Sequence, residues 1–178
     1  SPFYDANGIG SGDGLTLVFA SNRPGGSGSR DIYIVDRDDT SVPFIDVRNV
    51  TELNTDGLEI PTYLSDDGLT LYYFSDPSGA WDLYVAKRPS REDPFEKMPG
   101  LTELNSEFFD SGLSLTADGL EAYFVSDRPG GKGTRDIWTA TRSSVDEPFS
   151  GIRNLEEVNT PHADQAPSIS ADGLTLFW

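Results

Sequence analysis

The chain has 178 residues, of which 36% are apolar, a length and composition sufficient for one domain with a buried core. Its 13 basic and 30 acidic residues give a formal charge of −17, which argues against a nucleic acid partner or an anionic membrane surface. The absence of cysteine excludes disulfides, thiolate catalysis and zinc–thiolate sites. No apolar run is long enough to span a membrane, and export would require a signal peptide that has been removed.

An internal repeat of three and a half copies organises the whole sequence. Asp-Gly-Leu strings recur at intervals of 54, 51 and 54 residues, beginning at Asp13, Asp67, Asp118 and Asp172. Three copies also share an Arg, a Pro-Phe pair and an Asn at constant spacing, whereas the loop between a recurring Ser and a recurring Asp is three residues shorter in the second copy. A fixed period of about 50 residues is typical of repeat architectures.

Each repeat predicts four short strands, which we call A to D in chain order. In the second repeat they are expected at residues 60–65, 69–75, 83–87 and 96–104. Strands A and B are joined by Asp-Gly, a dipeptide that readily takes the positive φ angles of a two-residue hairpin. Alternating apolar residues such as Leu69, Leu71 and Tyr73 predict a buried face on strand B. The predicted fold is therefore all-β, a β-propeller built of four-stranded antiparallel blades without helices.

The repeats resemble a known family. The string Leu-Ser-Asp-Asp-Gly-Leu-Thr-Leu-Tyr-Tyr at 64–73 and the string Ser-Asp-Arg-Pro-Gly-Gly-Lys-Gly-Thr-Arg-Asp-Ile-Trp at 126–138 are similar to the WD40-like propeller repeat of bacterial TolB-type proteins. The resemblance covers essentially the whole chain and implies the propeller fold. It implies less about function, because propellers occur in binding proteins, scaffolds and enzymes.

The repeat count predicts an incomplete ring. Blades are expected at about 5–55, 56–106 and 107–160, with half a blade at 161–178, whereas propeller rings usually have four to eight blades. The half blade would expose an apolar sheet edge at Leu176 and Trp178. We therefore expect either that the chain is a segment of a longer propeller or that copies self-associate through this edge.

Four acidic residues recur eight positions before the aspartates of the Asp-Gly turns, and they are candidate metal ligands: Asp5, Glu59, Asp110 and Asp164. If strand A is innermost, their carboxylates would ring a central channel, where oxygen ligands suit calcium or magnesium. The alternative is that each acid bonds the backbone of a neighbouring blade or a loop arginine. Recurrence in every repeat favours this structural role, because joints between blades must repeat.

The loops between strands B and C are the candidate partner-binding surface. Their proposed contact residues are Arg23, Arg30, Trp81, Arg128, Lys132 and Arg135. Their glycines do not fit the strand–loop–helix context of a phosphate cradle, so we expect positive φ in a long loop whose exit is anchored by Asp31, Asp82 and Asp136. Trp81, in the shorter second loop, is expected either to recognise a partner or to pack against the next blade.

Catalytic signals are weak. The single histidine, His162, lacks a motif-defined serine nucleophile, and the adjacent acids Asp66 and Asp67 do not define the carboxyl separation needed for glycoside hydrolysis. We expect a non-enzymatic binding module of a bacterial protein outside the cytoplasm, with a protein or glycan partner and no required cofactor. The alternative is a propeller lyase or hydrolase that uses the channel acids with a divalent metal.

Overall fold

The computed structural model describes residues 2–77 and 79–178. Within this part of the chain there is no helix, and strands account for all regular structure, as predicted. Three four-stranded antiparallel sheets follow one another along the sequence, and a two-stranded sheet follows them. In each four-stranded sheet the spatial order of the strands is their chain order, which is the meander of a propeller blade.

The first blade contains β1 (Asp5–Gly10), β2 (Thr16–Ser21), β3 (Asp31–Asp36) and β4 (Arg48–Asn49). The second contains β5 (Glu59–Leu64), β6 (Thr70–Ser75), β7 (Asp82–Lys87) and β8 (Glu96–Lys97). The third contains β9 (Asp110–Leu115), β10 (Glu121–Ser126), β11 (Asp136–Thr141) and β12 (Ser150–Asn154). The last sheet pairs β13 (Ser168–Ile169) with β14 (Leu176–Phe177).

Two compact units divide the chain: Ser1–Gly79 with Tyr84–Pro99, and Ala80–Leu83 with Gly100–Trp178. In the first unit, alternate residues of strand B in the second blade, Leu71 and Tyr73, are buried in one cluster with Val18, Ile32 and Ile34 of the first blade. The buried face predicted for strand B is thereby observed at Leu71 and Tyr73, and Tyr72 and Phe74 on the opposite face are buried as well. In the second unit the most deeply buried apolar side chains include Leu113, Phe124 and Ile137.

The fourth strand is shorter than its sequence predicts. In the second blade it covers only Glu96–Lys97, whereas a strand was expected over 96–104. Leu101 and Leu104 instead lie on a turn, where the Leu104 N–H donates to the Leu101 carbonyl, and both side chains are buried. The apolar residues that suggested a strand are buried by this turn, which satisfies the backbone locally.

The positive φ predicted for the Asp-Gly turns is confirmed at the glycines, but the loops are longer than the two residues predicted. Gly14, Gly68, Gly119 and Gly173 have φ between 70° and 74°, and none of the preceding aspartates has positive φ. Each loop closes over four residues, as where the Ser11 N–H donates to the Thr16 carbonyl. The aspartate acts through its side chain: Asp13 Oδ1 accepts from the Ser11 hydroxyl at 2.7 Å and from the Leu15 N–H at 3.0 Å.

These hydrogen bonds make the turns pH-sensitive. The Ser11 hydroxyl and the Leu15 N–H lower the pKa of Asp13 from 3.8 to about 2, and hydroxyls lower the pKa of Asp67, Asp118 and Asp172 in the same way. Because the folded pKa is depressed, the resulting stability is present above about pH 3.8 and is lost as the pH falls through about 2. We expect Ser11→Ala to return the Asp13 pKa toward 3.8 in a carboxyl NMR titration, and an unchanged pKa would contradict this account.

Candidate functional site

Three of the four recurring acids, Glu59, Asp110 and Asp164, lie at the joints between blades. Each of the last three begins or precedes strand A, and its backbone N–H donates to a carbonyl at the exit of the preceding B–C loop. In the first unit Glu59 donates to Arg30 at 2.9 Å, and in the second unit Asp110 donates to Trp81 at 2.8 Å and Asp164 to Arg135 at 2.9 Å. These bonds repeat once per blade, as expected of a structural joint.

The side chains of the four acids accept hydrogen bonds from their own blade or loop. Glu59 is fully buried and accepts from the Thr55 N–H and hydroxyl and from the Ser75 hydroxyl. Asp164 accepts from the Thr160 N–H at 2.7 Å. The carboxylates of Glu59 and Asp164 therefore order the D–A segment that precedes strand A, which is a structural use of a buried acidic group.

Two of the acids also pair with the first arginine of the adjacent B–C loop. Arg128 Nη2 lies 2.7 Å from Asp110 Oδ1, and the Asp110 side chain is fully buried. Arg23 Nη2 lies 2.9 Å from Asp5 Oδ1, at a more exposed position. Protein donors thus engage both carboxylates, and within the described part of either unit no three acidic or histidine side chains form a metal-binding group.

We expect calcium and magnesium to cause no specific increase in the melting temperature, because protein donors already engage these carboxylates. A cation bound only by the folded chain would raise the melting temperature in proportion to the logarithm of its concentration above Kd. Differential scanning calorimetry across a calcium series, with sodium chloride at matched ionic strength, measures this. A rise with the logarithm of the calcium concentration that is lost in Asp110→Asn would establish a cation site instead.

The B–C loops are held by their exit aspartates, as predicted for the first and third blades. Asp31 accepts from the Ser27 N–H at 2.9 Å, and Asp136 accepts from the Lys132 N–H at 3.0 Å. Loop N–H groups that could have formed a phosphate cradle thus donate hydrogen bonds to the protein's own carboxylates. In the second blade, burial and then the nearby charge of Asp110 raise the pKa of Asp82.

The second arginine of each long loop stacks on an aromatic ring. The Arg30 guanidinium lies 4.7 Å from the centre of the Tyr4 ring, and that of Arg135 lies 3.9 Å from the centre of the Phe109 ring. Tyr4 and Phe109 each stand immediately before a recurring acid, a coincidence visible in the sequence but missed there. Both arginines remain half-buried, and no ion pair joins either to a carboxylate among the described residues.

Trp81 packs against the strand A region of the third blade. Its ring centre lies 4.9 Å from that of Phe109, and its side chain is half-buried. Packing, one of the two roles expected for Trp81, is therefore observed, and a recognition role stays a prediction. The Lys132 ammonium donates to the Glu156 carbonyl. His162 is exposed, and its backbone N–H donates to the Thr160 hydroxyl.

Solved structures match this arrangement across nearly the whole chain. TolB from Acinetobacter baumannii aligns with a TM-score of 0.60 and 19% identity over 96% of this chain. The chain has the TolB-like β-propeller fold. A putative TolB from Agrobacterium tumefaciens aligns with a TM-score of 0.56 and 18% identity over 97% of this chain.

The TolB-like fold also occurs within an enzyme. A puromycin-hydrolyzing peptidase from Mycobacterium tuberculosis aligns with a TM-score of 0.58 and 19% identity over 93% of this chain. The chain spans 36% and 56% of the two TolB chains and 23% of the peptidase. No family model and no curated protein matches the sequence. Among the described residues, no helix is both long and apolar enough to cross a membrane.

Proposed function

We propose that this TolB-like chain is a non-enzymatic binding module of a bacterial protein outside the cytoplasm. Its B–C and D–A loops would present a surface to a protein or glycan partner. The environment of Arg30 and Arg135 supports this function. Both side chains are half-buried and stack on aromatic rings, and neither has a carboxylate partner among the described residues. Localisation is testable by cell fractionation of the source bacterium.

The chemistry of these two arginines suits recognition. A guanidinium that lies flat on a ring is restrained, and its edge N–H donors can bind a carboxylate or a hydroxyl pair with little further loss of entropy. In a chain of net charge −17, a cation without an acidic partner attracts an anionic or strongly hydrogen-bonding group. By contrast, internal partners already accept hydrogen bonds from the side chains of Arg23, Arg128 and Lys132.

The alternative function is a lyase or hydrolase that uses the joint acids with calcium or magnesium. The match to a peptidase chain keeps this hypothesis open at the level of fold. It would require Glu59 and Asp110 to give up hydrogen bonds that now order the D–A segments. Loss of turnover in Asp110→Asn with metal present, without loss of folding, would favour the enzyme.

The binding proposal is tested with arrays of cell-envelope polysaccharides and purified envelope proteins. We expect at least one saturable ligand whose affinity falls about ten-fold in Arg30→Ala/Arg135→Ala, the equivalent of roughly 1.4 kcal/mol. Lys87→Ala/Lys97→Ala is the matched control, because it removes the same charge from exposed positions outside these loops. Equal losses in both variants would indicate nonspecific electrostatics and contradict the proposal.

We also propose that the isolated chain self-associates through the last sheet. The exposed apolar residues there are Leu174, Phe177 and Trp178. Apolar side chains beside a sheet edge favour pairing with another chain. Light scattering should show a mass that rises with concentration in the wild type and much less in Phe177→Lys/Trp178→Lys; a constant monomer mass would contradict it.

A further inference from the structure

The first blade has a cavity at its C–D turn that the loop-face function does not use. Its volume is about 470 Å³, and aliphatic residues on both sides of the turn line it, including Ile34, Val42 and Ile45. Ile45 is 64% exposed and Val42 is 42% exposed. Exposed aliphatic side chains that line a cavity of this size are typical of a binding site. Arg37, which also lines the cavity, contacts the Gly14 carbonyl, so the cavity lies on the A–B turn side of the blade.

The same position in the third blade is polar. A cleft there contains Glu147 and Ser150, which stand where the first blade has Val42 and Ile45. The flanking Arg and Pro-Phe pair are identical in the two blades, and each arginine stacks on the phenylalanine. The aliphatic lining is therefore a property of the first blade and is not needed for the blade to form.

Strand D pairs less extensively with strand C beside this cavity. Pairing in the first blade ends at Ile34 with Arg48, whereas the third blade continues it to Thr141 with Ser150. Asp46 has a φ of 59° at the position where the third blade has Gly151 with a φ of 64°. A non-glycine residue in the left-handed region is uncommon and costs free energy, so the backbone of this turn is strained at Asp46.

The lining of the cavity is net acidic, because it contains three aspartates, Asp36, Asp38 and Asp46, and two arginines, Arg37 and Arg48. Asp38 and Asp46 line it, and neither has an ion-pair partner among the described residues. Arg37 donates to the Gly14 and Val42 carbonyls and stacks on Phe44. A ligand with positive charge beside an aliphatic group would complement this combination.

We propose that this cavity binds an extended peptide segment in which an aliphatic residue is flanked by basic residues. The aliphatic side chain would enter between Val42 and Ile45, and the basic side chains would reach Asp38 and Asp46. The shortened C–D pairing leaves a strand edge at Asp36 for main-chain hydrogen bonds, which favours a peptide over a small amine. This site is independent of the B–C and D–A loops.

The test is an NMR titration of the full 178-residue chain with an acetylated, amidated pentapeptide of alternating lysine and isoleucine. We expect saturable shifts at the backbone amides of Asp36, Ile45 and Asp46. The double variant Val42→Glu/Ile45→Ser, which installs the residues of the third blade, should weaken binding at least ten-fold while keeping the urea midpoint. Asp38→Asn/Asp46→Asn, whose changes are on the surface, should weaken it at least five-fold.

Three controls define the outcomes that overturn the proposal. Equal affinity of the lysine peptide for the wild type and for Val42→Glu/Ile45→Ser would mean nonspecific attraction to an acidic protein. Equal binding of a peptide with glutamate in place of lysine would remove the role of Asp38 and Asp46. Butylamine that binds as tightly as the peptide would identify a small-amine site, and no saturable shift at millimolar peptide would exclude the site.

Discussion

Replacing Arg88 with alanine is expected to lower the free energy of unfolding by about 3–5 kcal/mol, because it leaves a largely buried acid without its partner. The Arg88 side chain is fully buried, and its Nη2 lies 2.9 Å from Asp36 Oδ1 in the first blade. The guanidinium also donates to the Gly68 and Arg91 carbonyls and to the Thr16 hydroxyl. All of these partners belong to the first unit, so one side chain joins two blades.

Lysine should not rescue this position. A single ammonium cannot reproduce the planar set of donors, nor the stacking of the guanidinium 4.9 Å from the Phe95 ring centre. The matched control is Arg142→Ala, since Arg142 makes the same bond to a turn carbonyl, at Gly119, but forms no ion pair among the described residues. We expect that variant to cost about 1–2 kcal/mol. Urea unfolding followed by circular dichroism compares the three, and equal losses at Arg88 and Arg142 would contradict the ion-pair account.

The second large effect is expected at Gly133, where alanine should cost about 3 kcal/mol. A Cβ at this position would lie 1.7 Å from the His162 carbonyl oxygen and 2.9 Å from that of Thr160. Both obstacles are backbone atoms, so the D–A segment must move, and with it the Thr160 N–H that donates to Asp164. The first blade repeats this contact, since a Cβ on Gly28 would lie 2.0 Å from the Gly57 oxygen.

Gly100→Ala is the control for Gly133→Ala. No atom lies within 4 Å of a Cβ built on Gly100, and its φ is not in the left-handed region. We expect that variant to change the free energy of unfolding by no more than about 0.5 kcal/mol. Differential scanning calorimetry of both variants decides the matter. If Gly133→Ala and Gly100→Ala have the same melting temperature, the close approach of the two loops does not exist in solution.

The loop glycines show how far the sequence could be interpreted. Positive φ was predicted for them, and Gly25 and Gly130 have it, with φ of 100° and 102°. Gly28 and Gly133 are required for a different reason, the close approach of another loop. That approach depends on where the next blade lies, and a local pattern of glycines carries no information about it.

The strands and the contacts between blades also differed in how far the sequence could predict them. The period-two pattern of strand B predicted its buried face, because alternation is a local property of an extended chain. Recurrence suggested that the four acids are structural, and their hydrogen bonds support that role. The link between Arg88 and Asp36 was missed, although Asp36 differs from the equivalent Lys87 and Thr141. Recognising it requires knowing which side chains of two repeats meet, and this is a tertiary fact.

One backbone hydrogen bond recurs at the blade joints and gives the molecule built-in reporters for hydrogen exchange. The amide protons of Glu59, Asp110 and Asp164 bond to the preceding loop and not to their own sheet. Exchange at these three amides therefore measures the parting of neighbouring blades, whereas exchange at an amide in the middle of β6 or β10 measures melting within a sheet. Comparing the two sets of rates along a denaturant series would show whether the repeats unfold together or peel apart one at a time.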